Sequence, residues 1–169
     1  KDSLRTSVAP LRQAYINGRE TGDLLYATFA ASFNGAIRLY SGENLQLLLE
    51  SLTEDCLTIK GLKQELVYQI SEVQRQYVIN LQRPMKDPFV FDSDGFSEEA
   101  FFKKIKEIDD QATAFRIYNY KAALGCIFND YKTAYANAIE AGRFEDETTS
   151  RQISYPSFLM FKSMAELKL

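Results

Sequence analysis

The chain has no histidine among its 169 residues. That absence removes every Ser-His or Cys-His nucleophile pair and every zinc site built on imidazole. It also leaves no phospho-accepting histidine. Cysteine is scarce: Cys56 and Cys126 each lie in an amphipathic pattern, which reads as two buried thiols in a reducing cytoplasm rather than a disulfide or redox pair. Eight glycines and four prolines are few and favour long elements over many short turns. There is no excess of positive charge. The net charge of −3 excludes a broad basic surface, and nucleic acid is not expected as a partner. No apolar run approaches the roughly 20 residues of a membrane-spanning helix, so no membrane is expected either. No leader pattern is visible. The first residue is Lys1, and the chain is expected to be a piece of a longer protein.

What is present is ordinary for a globular protein: 46% apolar and 25% charged residues, in a length sufficient for one domain with a substantial core. The pattern is helical nearly throughout. A first helix is predicted over Val8–Glu20, with Pro10 tolerated in its first turn. Gly22 then supplies a left-handed stop and Asp23 a cap for the next helix. Glu20-Thr21-Gly22-Asp23 is thus a stop followed at once by a start. The second helix, Leu24–Tyr40, carries Arg38 as its one charge. Its small stripe Ala27, Ala31, Gly35 lies beside a bulky stripe Leu25, Phe29, Phe33, which predicts burial on more than one side.

A third helix spans Asn44–Ile59, with Leu45, Leu48, Leu49, Leu52, Cys56 and Ile59 on one face. Lys60-Gly61 marks a break, or a bend in a continuous helix. Leu62, Leu66, Ile70, Val73, Tyr77 and Leu81 form the next face, ending near Arg83. Arg83–Phe96 reads as an irregular loop, since Pro84 and Pro88 interrupt a helix. Ser97 caps a short helix to about Ile108. A sixth helix runs over Gln111–Phe128 and a seventh over Tyr131–Ala141. An acidic linker follows, and the last helix starts at Tyr155-Pro156. Eight helices in four hairpins predict an all-α, TPR-like helical hairpin repeat, a right-handed solenoid forming a single domain over 1–169. The starts of helices five and seven, Ser97 and Asp130, lie 33 residues apart, close to the tetratricopeptide period of about 34; the first two hairpins do not keep that period, so the repeat is irregular.

Candidate chemistry is sparse. The Gly22 turn lacks the second glycine, the lysine and the preceding strand of a phosphate loop. Asp92–Gly95 resembles a calcium loop only superficially: aligning Gly95 with the required glycine puts Val90 and Phe101 at ligand positions. The carboxylate runs Asp109-Asp110 and Glu145–Glu147 fall at helix ends and in the linker, where solvation rather than acid–base work is expected. Ten tyrosines and twelve phenylalanines mostly have the spacing of core packing. Tyr118 and Tyr120 are the residues that could line a peptide-receiving groove. No catalytic, cofactor-binding or metal-ligating residue is assigned.

The order of motifs carries a resemblance. Ala14–Ala31, AYINGRETGDLLYATFAA, resembles the signature AY-x-x-G-x-E-T-G-D-x-x-Y-A of a helical region in very large bacterial signalling proteins. These join a serine/threonine kinase, a STAND-type AAA ATPase module, a TPR-like region, a GAF sensor and a two-component histidine kinase core. Phe96–Ile105 (FSEEAFFKKI) is similar to that region's F-D-E-E helix start. Thr113–Ala138 and Tyr155–Leu167 are similar to two later segments of it, in the same order. Ser32-Phe33-Asn34 replaces an aromatic, histidine-rich stretch there, and Lys162 stands where an acidic residue is common.

The resemblance implies a non-catalytic, cytoplasmic interaction and signal-relay module. Its partners would be neighbouring domains of the parent chain or another protein. The parent's kinase and ATPase motifs lie outside this segment, so no catalytic residue carries over. Two alternatives remain open at this point. One is homo-oligomerisation, as a homodimer. The other is small-molecule sensing, with a ligand between helices two and six.

Overall fold

The computed structural model describes residues 3–82, 87–93 and 95–169. Among them the chain is all helical. A short 3-10 turn over Leu4–Ser7 precedes α1 (Val8–Thr21), α2 (Leu24–Tyr40), α3 (Leu45–Gly61), α4 (Glu65–Gln82), α5 (Glu98–Glu107), α6 (Gln111–Ile127), α7 (Tyr131–Gly142), α8 (Glu147–Ser150) and α9 (Tyr155–Lys168). No helix among the described residues is long and apolar enough to cross a membrane. The expected loop over Arg83–Phe96 lies partly outside the described residues, at 83–86 and at 94, and so does Pro84.

The described helices number nine rather than about eight. The additional one is α8, within the stretch expected to be a linker. Asp146 accepts from the Thr149 backbone N–H at 2.7 Å while the Thr149 hydroxyl accepts from the Asp146 N–H at 2.7 Å. This reciprocal cap closes a single turn.

The chain divides into two compact units, 1–82 and 83–169. In the first, α1 and α2 pair, α3 and α4 pair, and α2 also packs on α3 and α4. The small stripe of α2 is buried as its spacing predicts, with Ala27 fully enclosed. The bulky stripe is buried only in part: Phe29 packs against Ala31, Ile59 and Val67, while Leu25 and Phe33 are about half exposed, at 45% and 51%. The helix therefore buries one broad face rather than several sides. Between α3 and α4 the chain breaks, and it is Lys63, at φ 56°, that takes the left-handed conformation. A continuous bent helix is excluded.

In the second unit α6 is central, packing on α5, α7, α8 and α9. Phe115 and Phe158, both fully buried, meet edge to face at 5.0 Å inside it. Three of the turns between consecutive helices repeat one device. Gly22 (φ 80°), Asp109 (φ 52°) and Asn129 (φ 61°) are left-handed, and each is followed at once by an aspartate cap: Asp23, Asp110 and Asp130. Glycine adopts that conformation freely, and Asn and Asp tolerate it better than other side chains. The left-handed residue stops one helix, and the next carboxylate accepts the exposed N–H groups of the helix that begins.

Candidate functional site

Two of the carboxylates and one of the aromatics singled out above, Asp109, Asp110 and Tyr118, line one groove, between α5 and α6 in the second unit. Phe102, Ile105 and Lys106 come from α5, at the three- and four-residue spacing that places them on one face. Ala114 and Tyr118 come from α6, again four apart, with Gln111 at its first turn. Asp109 and Asp110 close one end, and Phe144, just after α7, contributes a third ring. The groove is open to solvent and encloses about 450 Å³, within the range of ligand-sized sites.

Its wall is aromatic. The Phe102 and Tyr118 rings lie 5.3 Å apart at 36°, and Tyr118 and Phe144 stack at 5.9 Å and 9°. Burial pushes the Tyr118 hydroxyl above its usual range, Glu140 and Glu98 add to this, and Arg143 opposes it. Arg143 is itself engaged by Glu140 at 2.8 Å.

A part-buried ion pair adjoins Phe102. Lys121, on α6, forms an ion pair with Glu98, at the start of α5. The other Glu98 oxygen accepts the Phe91 N–H at 2.8 Å. The Lys121 ammonium lies 5.8 Å from the Phe91 ring centroid and 5.9 Å from that of Phe102, a cation–π arrangement on both rings. One carboxylate thus joins the 87–93 segment, α5 and α6.

Of the two tyrosines expected to line a groove, Tyr118 does. Tyr120 does not: it is 3% exposed and belongs to the core. Residues two apart on a helix point roughly 200° away from each other, so the two cannot share a wall. The pair Asp109-Asp110 is a turn and a cap that also edges the groove. In the run Glu145–Glu147, Asp146 is the α8 cap and Glu145 accepts a hydrogen bond from the Tyr155 hydroxyl. The Asp92–Gly95 stretch includes residue 94, outside the described residues. Among the described residues no group of three or more Cys, Asp and Glu has metal-holding geometry.

A second polar cluster escaped the sequence reading. On α4, Glu72 accepts from Arg75 Nη2 at 2.6 Å and from Gln76 Nε2 at 2.9 Å. Both ends of the ion pair are almost fully buried, at 9% and 4% side-chain exposure. The predicted α4 face held Leu66, which is 42% exposed, while Glu72, Gln74, Arg75 and Gln76 are buried. A Glu-x-x-Arg pair is legible in sequence, but its burial is not. Cys56, on α3, sits near this cluster. Burial raises its thiol well above the ordinary value, and the Glu72 carboxylate raises it further. That direction is opposite to the one an activated nucleophile needs. Cys126 is shifted the same way by burial.

No protein-family model, curated protein or solved structure matches the chain.

Proposed function

We propose that the chain is a non-catalytic helical interaction module, a TPR-like hairpin array that docks a neighbouring domain or a partner protein and relays a signal. The observation that carries this reading is the aromatic groove of Phe102, Tyr118 and Phe144, preformed by helices and adjoined by the Lys121–Glu98 ion pair. Rigid rings offer large contact area at small conformational cost, which is what a docking site uses. The raised thiols of Cys56 and Cys126 support the non-catalytic part. The ordered resemblance of Ala14–Ala31, Phe96–Ile105, Thr113–Ala138 and Tyr155–Leu167 supports a place in a bacterial multidomain signalling kinase, between its ATPase module and its sensor domains. The test is calorimetric titration of the chain with that ATPase module, with and without ATP. Binding that depends on nucleotide and weakens in Phe144→Ala is the expected result. Absence of binding in both conditions overturns the relay.

A second reading, self-association, is favoured by the α9 stripe Met160, Met164 and Leu167, exposed at 50%, 39% and 86%. Exposed apolar stripes of this kind mark contact faces. Light scattering that shows a strict monomer at high protein concentration excludes it.

A further inference from the structure

The α5–α6 groove carries more than apolarity. Two carboxylates, Asp109 and Asp110, edge it against a single ammonium, Lys106. Among the described residues neither aspartate has a salt-bridge partner. Among the described residues Asp109, which is exposed, accepts only a long 3.4 Å hydrogen bond from Gln111 Nε2, whereas Asp110 accepts the Thr113 N–H at 3.0 Å as a helix cap and keeps its other oxygen buried without a hydrogen-bond partner, so that it acts on the groove through its charge. The nearby cations Lys121 and Arg143 are already paired, with Glu98 and Glu140. The groove thus offers an occupant a net negative end and a row of ring faces, which attract a cation through their quadrupoles.

We propose that the occupant is a protein segment in which a bulky apolar side chain adjoins a lysine or arginine. The apolar group lies along Phe102, Tyr118 and Phe144, and the cation reaches the Asp109–Asp110 end. This rests on the docking reading above and names its ligand chemistry. An acidic segment is disfavoured by the same two carboxylates, so the groove selects by charge as well as shape.

Three ring-bearing probes test it: 2-phenylethylammonium, neutral 2-phenylethanol and 3-phenylpropionate, titrated while the amide resonances of Ala114 and Tyr118 are followed by NMR. The ammonium is expected to bind about threefold more tightly than the alcohol, and the carboxylate more weakly than either, the size that exposed charge pairs give. The ordering should collapse in about 1 M salt, where the screening length is about 3 Å. It should also vanish in the double variant Asp109→Asn, Asp110→Asn. Asparagine keeps both backbone roles, since it tolerates the left-handed turn and caps helices as well as aspartate. Asp109→Asn alone leaves the cap untouched and should remove part of the ordering.

Equal affinity for the three probes overturns the charge inference while leaving a groove that docks rings. An ordering that survives in the double variant overturns it as well. No shift of groove amides with any probe removes the docking site itself, and the inference with it. Finally, a peptide carrying Phe-Lys between Gly-Ser flanks should bind at least as tightly as the ammonium probe. Tenfold weaker binding would mean that the flanking backbone is excluded and that the site takes a free amine, not a protein segment.

Discussion

Gly125 and Ala134 face each other across the α6–α7 turn so closely that a Cβ on Gly125 would lie 2.6 Å from the Ala134 nitrogen and 2.7 Å from its Cβ. Gly18 and Ala27 repeat the relationship across the α1–α2 turn, at 2.9 Å from Cβ to Cβ. The offsets are identical: glycine, then the capping aspartate (Asp23 or Asp130) five residues on, then alanine four further. In both hairpins the missing side chain lets two helix backbones touch just behind a tight turn.

Gly125→Ala should therefore destabilise the protein by about 1–3 kcal/mol, because backbone rather than a flexible side chain stands in the way. Gly142→Ala is the control. It lies at the end of α7 with open space around its Cβ position, and there the substitution should be neutral or stabilise by up to about 1 kcal/mol. Urea denaturation of both variants gives the comparison. A Gly125→Ala protein as stable as the parent would refute the close approach.

Ala31→Leu tests the small stripe of α2. Ala31 is 6% exposed and packs with Ile59 and Val67. Added methylenes on this buried face should overpack it, and a loss of about 1–3 kcal/mol is expected. An unchanged melting temperature would contradict burial of this face.

Asp55, on α3, should make stability fall as pH rises. Desolvation pushes its carboxyl from 3.8 up to about 6, with Arg38 opposing and Glu54 adding to the shift. The folded state thus holds the proton more tightly than the unfolded one. The benefit is complete below about pH 4 and is lost as pH rises through 6. The span corresponds to an effect of the order of 3 kcal/mol. Asp55→Asn should flatten stability over that window and be the more stable protein above pH 6, as chemical denaturation across pH would read.

Asp130 acts with the opposite sign. The Thr133 N–H and hydroxyl, donating at 3.0 and 2.7 Å, hold its carboxyl below the usual range. Its contribution is present above the ordinary aspartate range and is lost as pH falls through the lowered native value, below about pH 4. Asp130→Ala should cost about 0.5–2 kcal/mol at neutral pH, and that cost should shrink in strong acid, where the carboxylate is protonated. An equal loss at pH 7 and in strong acid would assign the effect to something other than the charge.

Lys121 and Glu98 should be coupled. Their side chains are 10% and 19% exposed. Lys121→Met alone leaves a carboxylate with one partner fewer and should cost about 3 kcal/mol. Adding Glu98→Gln should recover part of that loss. Strict additivity of the two losses in a double-mutant cycle would show that the ion pair is not a unit.

Much of this fold is local and therefore legible. Leu24–Tyr40 is predicted and found with the same bounds, because Asp23 caps its start and Ser41-Gly42 ends it, Gly42 in the left-handed conformation. The three aspartate caps and their left-handed neighbours need only adjacent residues to act. The acidic stretch around Glu147 was harder, since its single turn depends on Thr149 answering Asp146. At the groove, Tyr118 was visible in the sequence as one of two candidates to line a groove, the other being Tyr120, which is in the core. Phe102 and Phe144 were not, because one lies 16 residues before it and the other 26 after, in elements whose meeting no sequence pattern states.

By itself, then, the sequence determined where most of the long helices begin and end, which turns are tight, and that histidine chemistry is absent. Each of these is set by a residue's own shape or by partners within about one helical turn. The tertiary structure alone decided which apolar stripe of α2 goes inside, that Glu72 and Arg75 are buried, and that three rings and two carboxylates share one groove. Those outcomes depend on how distant helices pack, and packing compares whole surfaces: the same amphipathic pattern permits several partners until burial selects one.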